Sequence, residues 1–331
     1  MIVNDLQQRL FTHIKKFLPS HLSLTDEIST LLDIGSDSAY RRIRGEKELN
    51  LSELQKLCKH FRISLDQVLQ LENDSVVFTA NELNQKQINF TSYLQGVLSQ
   101  LKYFNTFKEK KLLYLSKDAP IFHFFHFPEI AAFKSFFWTR SILNEPAFSN
   151  RKFSLSDTDI TENYKLGLQI IREYNEIPSV ELWNYESINS TIGQIEYYRT
   201  SGCFSTRADL ITVVESLLQL IDHLQLQAEK GQKFLAGGSE LTFRAPFQFY
   251  INELIIGNNT VLAQLDDLKL AFVSYNILHV MHTSDIRFTE KAFNNFEMLA
   301  SRSTMISITG ERDRNRFFQQ LKDKVSVCLN S

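Results

Sequence analysis

The segment from 36 to 44 crowds Ser36, Asp37, Ser38, Tyr40, Arg41, Arg42 and Arg44 into nine positions. Arginine forks bind guanine edges or phosphates in bidentate fashion. Serine hydroxyls and free N–H groups at a helix start donate to phosphate oxygens, and a carboxylate such as Asp37 accepts from a cytosine amino group. Elsewhere the chemistry is sparse. His123 and His126 have the spacing of a metal pair but no matching carboxylates or cysteines, so they read as histidines of an aromatic cluster. His279 and His282 read the same way, and Glu129 and Glu181 lie near aromatics with no identifiable partner. No Walker loop, GxGxxG, GxSxG, HExxH or Cys-His signature occurs, so no catalytic residue, metal or cofactor is expected.

The elements that must position the 36–44 group are short helices. Leu6, Leu10, Phe11, Ile14, Phe17 and Leu18 recur at helical spacing, and Pro19-Ser20 ends that first helix. Thr25 is placed to cap a second helix that buries Ile28, Leu31 and Leu32, with Asp26 and Glu27 favourable to its dipole. Asp33-Ile34-Gly35 forms a tight turn, Ser36 caps the next helix, and Gly45 ends it. Ala39 and Ile43 must point inward, which turns Tyr40 and Arg41 toward a groove and Arg44 toward a phosphate or base edge. Two helices joined by a tight turn, the second thin in core contacts and rich in arginine, form the pattern of a helix-turn-helix reader.

The run LLDIGSDSAYRRIRGEKELNLSELQKLCKHFRISLDQVL resembles the phage-repressor-type (XRE-like) helix-turn-helix domain of bacterial transcription regulators. Its closing helix is matched by Phe61, Ile63, Ser64, Leu65, Asp66, Val68 and Leu69. Asp37 to Glu46 is especially similar to a group of such regulators that carry a long C-terminal region. The family's turn glycine is Asp33 here, and a reading position often held by Gln is Ser36, so base preference does not carry over. The resemblance implies a DNA-binding transcription regulator, reading a palindromic operator as a homodimer. The alternative is a signalling adaptor whose N-terminal domain contacts protein and whose C-terminal helices form the scaffold.

Charge sharpens that expectation. Lys plus Arg number 36 and Asp plus Glu 38, a net charge of -2, so the chain is not the type that coats nucleic acid non-specifically. From residue 36 to 62, Arg41, Arg42, Arg44, Lys47, Lys56, Lys59 and Arg62 oppose Asp37, Glu46, Glu48 and Glu53, a local excess of three. Over residues 1–75 ten basic residues face eleven acidic, which makes cooperation between two copies the natural route to affinity.

The composition favours helix: 43% hydrophobic, 12% aromatic, only 11 Gly and 6 Pro. The expected fold is mainly α: a helix-turn-helix domain over 1–75 and a mostly helical regulatory or dimerisation domain over 80–331, with a small antiparallel β hairpin or meander at about 241–282. An apolar stripe through Leu83, Phe90, Leu94, Val97, Leu101 and Phe104 serves either to pair two copies or to pack on its own domain. The aromatic segment 111–150 reads as core, followed by antiparallel helices over Asp157–Tyr174, Val180–Thr200 and Thr206–Lys230. Turns are expected at Gly257-Asn258-Asn259 and Asp266-Asp267, and helices over Glu290–Ser301 and Glu311–Leu329. An effector, small molecule or peptide, is left unspecified. The unpaired Cys58, Cys203 and Cys328, the charged N-terminal segment and the lack of a long apolar run point to a cytoplasmic protein with no membrane segment.

Overall fold

Short apolar runs between helices build a sheet through the middle of the C-terminal region. The computed structural model describes residues 2–19, 21–61, 63, 65, 75–80, 89–156, 160–237, 244–253, 256–275 and 280–330. The strands are β1 (Lys110–Ser116), β2 (Ser179–Trp183), β3 (Phe247–Ile251), β4 (Thr260–Leu265), β5 (Leu268–Ser274), β6 (Val280–Thr283) and β7 (Thr304–Met305). They form one seven-stranded sheet in the order β6-β5-β4-β1-β2-β3-β7. β1, β2 and β3 are parallel neighbours, and the outer pairings are antiparallel.

This sheet overturns the expectation of a mainly α chain with a small hairpin. The reason lies in β1 and β2. Parallel strands buried on both faces carry continuous apolar runs rather than alternation, and such runs cannot be told from buried helix by periodicity. All five residues of β2 are buried. The expected helix over Val180–Thr200 is therefore strand in its first part, and its helix begins only at Asn189. The Asp266-Asp267 turn joins β4 to β5, with Asp266 in the left-handed region at φ 48°. Gly257-Asn258-Asn259, by contrast, links two strands that do not pair, since β1 and β2 lie between β3 and β4. Residues 241–243, Asp157 and His279 lie outside the described residues.

Helices cover both faces of the sheet unequally. In the N-terminal region they are α1 (Ile2–Lys16), α2 (Leu24–Leu32), α3 (Ser36–Ile43) and α4 (Leu51–Phe61). The next are α5 (Phe90–Asn105), α6 (Ile121–Phe124), α7 (Pro128–Phe137), α8 (Ile160–Asn175), α9 (Asn189–Thr200), α10 (Arg207–Lys230), α11 (Ile286–Ser301) and α12 (Glu311–Asn330). A π-helical turn, Trp138–Ile142, extends α7. Leu112, Trp183, Phe247, Phe249 and Leu270 on one face join the main core with residues of α5, α7, α8, α10 and α12. Leu113, Leu115, Val180, Leu182 and Leu262 on the other meet Phe293 and Phe296 of α11.

The α5 stripe is settled by this packing. Phe90, Leu94, Leu98, Leu101 and Phe104 are buried in the chain's own main core, so that face is not free to pair with a second copy. Leu83 lies outside the described residues. The N-terminal helices keep a separate core of Leu10, Phe11, Ile14, Ile28, Leu32, Ala39, Leu57 and Ile63. Among the described residues, contacts at α5 and at the segment 75–80 join this region to the sheet domain. Tyr103 Oη on α5 donates to Phe17 O at 2.8 Å. The segment 75–80 lies on the edge strand β6, where Thr79 and His282 exchange backbone hydrogen bonds of 2.7 and 2.9 Å. Among the described residues no helix is long and apolar enough to cross a membrane.

Candidate nucleic-acid interface

The turn before α3 is built by backbone geometry rather than by the side chains expected to cap it. Ser23, not Thr25, caps α2, accepting from Asp26 N at 3.4 Å. Asp33 then takes the left-handed conformation at φ 56°, where a glycine is the common choice, and its N–H reaches back to the carbonyls of Ser29 and Thr30. Gly35, not Ser36, is the N-cap of α3 and offers no side-chain oxygen, so Ser36 begins the helix. The first-turn N–H groups of α3 therefore receive no side-chain cap and sit at the positive end of its dipole.

On α3, Asp37, Tyr40, Arg41 and Arg44 fall at steps of three and four and are all exposed, as is Ser36; Ser38 is half-buried. The opposite edge is Ala39, Arg42 and Ile43. Arg44 lies against the Tyr40 ring, 5.6 Å from its centroid. Glu46, just past the helix, approaches both exposed arginines, at 3.2 Å from Arg44 Nε and 4.0 Å from Arg41 Nε. Pairs this exposed contribute at most about 1 kcal/mol, so they bias the side chains without fixing them.

Arg42 does not join this surface. It is 5% exposed, and its Nη2 and Nε donate to Glu53 Oε1 and Oε2 at 2.7 and 3.2 Å while Nη1 donates to Ser38 O at 3.2 Å. The hydrogen bond from Arg42 holds the Glu53 carboxyl below its ordinary value. Glu53 also closes the start of α4, accepting from Asn50 N while its own N–H donates to Asn50 Oδ1. Arg42 is thus the tie between α3 and α4. Its three-residue step from Ala39 is the sequence signal that places it on the inner edge.

Sequence reasoning also missed Gln7 and Gln8. Gln7 Nε2 on α1 donates to Arg42 O and Lys47 O at 2.7 and 2.8 Å, and its Oε1 accepts from Leu49 N at 2.9 Å. Gln8 Nε2 donates to Arg44 O at 3.0 Å. The first helix thereby clamps the end of α3 and the loop after it. Of the closing-helix residues, Ser64, Asp66, Val68 and Leu69 lie outside the described residues.

A second constellation is sealed inside the C-terminal region. Glu181, on the helix-rich face of β2, accepts from Trp183 Nε1 at 2.7 Å, from the Tyr174 hydroxyl, and pairs with His123 Nε2 at 2.8 Å. The partner that sequence could not supply for Glu181 is thus one of the aromatic-cluster histidines, 58 residues away. Burial pushes the Glu181 carboxyl up, but His123 and the hydroxyl and indole donors outweigh it and hold it below its usual range. Lys233, fully buried, donates to Tyr174 O and Ser179 Oγ at 2.8 and 2.6 Å. His126 Nδ1 accepts from Ala236 N at 3.3 Å, and its ring lies 4.3 Å from that of His223.

These buried histidines set a pH dependence. Burial holds His126 well below its ordinary value and lowers His223 to about 4, and burial with the nearby Lys16 charge lowers His13 of α1 to about 4. Between pH 4 and 6.5 the unfolded chain takes up protons that the fold refuses. Stability is therefore full above about pH 6.5 and is lost as pH falls toward 4, by about 3 kcal/mol for His223 alone. Urea unfolding at pH 7.5, 6 and 5 is expected to show midpoints falling in that order; equal midpoints contradict the assignment.

The BetR domain family, a helix-turn-helix-like DNA-binding family, has a model that matches residues 7–86. The matched range contains α2, α3, α4, both α1 glutamines and the 75–80 segment on the sheet edge. No curated protein and no solved structure matches the chain. The chain carries a helix-turn-helix-type DNA-binding domain, and its role at this level is regulatory.

Proposed function

We propose that the protein is a transcription regulator of the XRE-like kind that reads operator DNA with α3 and binds as a homodimer on two half-sites. The observation that carries the reading is the exposed stripe of Asp37, Tyr40, Arg41 and Arg44 beside an uncapped helix start. Tyr40 and Arg41 face base edges in the major groove. Arg44 reaches a phosphate or base edge, and the N–H groups of Ser36 and Asp37 take a phosphate oxygen. Arg42 organises the reader without touching DNA.

The near-neutral N-terminal region supports the dimer, because one copy neutralises few phosphates. The sheet domain positions two readers and holds an effector site. Nothing in the reading requires catalysis. Selection of fragments from a random DNA pool by the full chain, followed by mobility shift at several salt concentrations, tests it. The expected result is an enriched palindrome with half-sites about 34 Å apart and affinity that falls steeply with salt. A pool with no enriched sequence after repeated selection at low salt overturns it.

A further inference from the structure

The loop between α9 and α10, together with the end of α12, lines a half-open surface cavity of about 300 Å³ whose wall is divided by chemistry. Phe204, Leu210, Ile211 and Leu329 form an apolar side, and Arg199 and Arg207 stand on it. The volume lies at the lower end of the range for small-molecule sites. The apolar side is rigid: Phe204 stacks on Phe133 with centroids 5.6 Å apart at 7° and meets Phe153 edge-on at 5.6 Å.

The two arginines are not equivalent. Arg199 Nε and Nη2 donate to Glu196 Oε2 at 3.1 and 2.7 Å, so its charge is already answered. Arg207 makes no hydrogen bond or ion pair with a described residue. The helix start between them is closed, because Thr206 and Asp209 cap one another, and Asp209 also accepts from Leu155 N at 3.1 Å. Among the described residues the Arg207 guanidinium has no ion-pair partner, and it presents a planar fork suited to a carboxylate beside an apolar wall.

We propose that this cavity binds a small monocarboxylate with an apolar tail, its carboxylate on Arg207 and its tail against Phe204, Ile211 and Leu329. The Arg207 fork matches the two oxygens of a carboxylate, and the limited volume favours a free acid over a lipid. This site is separate from the DNA-binding face, and its test involves no DNA.

Titration calorimetry of the full chain with sodium octanoate, 1-octanol and sodium butyrate tests it. Octanoate is expected to bind saturably at one site per chain, with octanol and butyrate each weaker by about tenfold or more, since one lacks the charge and the other most of the apolar contact. Arg207→Gln is expected to weaken octanoate about tenfold and leave octanol unchanged, and Ile211→Ser to weaken octanoate severalfold. Both side chains lie at the surface, so an unchanged thermal midpoint verifies folding of each variant. Absence of saturable octanoate binding, octanol binding as tight as octanoate, or octanoate affinity unchanged in either variant overturns the proposal.

Discussion

Replacing Arg41 or Arg44 by Ala is expected to weaken operator binding by about 1–3 kcal/mol each, roughly tenfold to more than a hundredfold, with the fold intact. Both side chains are more than half exposed, and the contacts they lose within the protein are solvent-screened pairs with Glu46 and, for Arg44, the exposed Tyr40 ring. Because the two share Glu46 and one surface, the double variant should lose less than the sum. Arg42→Ala is expected to behave differently. It strips Glu53 of a nearly buried partner, which costs on the order of 2–4 kcal/mol in a domain with a small core. DNA binding then disappears together with the helical circular dichroism of the N-terminal region. Fluorescence anisotropy on the selected operator, read beside thermal unfolding, separates the two cases. Full operator affinity in both Arg41→Ala and Arg44→Ala removes α3 as the reader, and an undiminished melting temperature in Arg42→Ala removes the tie between α3 and α4.

Glu181→Ala is expected to destabilise the sheet domain by about 3–5 kcal/mol. The substitution orphans three buried donors at once, the Tyr174 hydroxyl, Trp183 Nε1 and His123 Nε2, beside the parallel strands at the centre of the mixed sheet. Glu181→Gln, which keeps the shape and a carbonyl acceptor, should cost about half as much, since one oxygen still receives a hydrogen bond. Trp183 is itself the reporter, because its indole hydrogen-bonds the mutated side chain. Denaturant unfolding followed by its emission gives the loss directly. A change of less than about 1 kcal/mol in Glu181→Ala shows that the cluster adds nothing net and is held only by the packing around it.

Several elements were legible from local pattern alone. The helix at 36–43, its inward Ala39, its outward Tyr40, Arg41 and Arg44, and the turn at Asp266-Asp267 all follow from steps of three and four or from turn residues, which are nearest-neighbour effects. The caps were displaced by one or two residues, because Ser23, Thr25, Gly35 and Ser36 all suit a helix start and only the backbone path chooses among them. The residue type of Arg42 suggests DNA contact, whereas its inner position follows from helix geometry and from Glu53 on another helix.

The amino-acid sequence by itself determined that the chain has a helix-turn-helix pattern near its start and an arginine-bearing face on its second helix, since each is written in residue types a few positions apart. Only the tertiary structure decided that KKLLYLS and SVELW are adjacent parallel strands, that the α5 stripe is buried at home, that His123 belongs to Glu181, and that Arg199, Arg207 and Leu329 share one cavity. These depend on contacts between residues tens to more than a hundred positions apart. A buried apolar run has the same local composition in a strand as in a helix, and a long-range pair leaves no periodic trace. Their outcome was settled by which faces the whole chain could bury together.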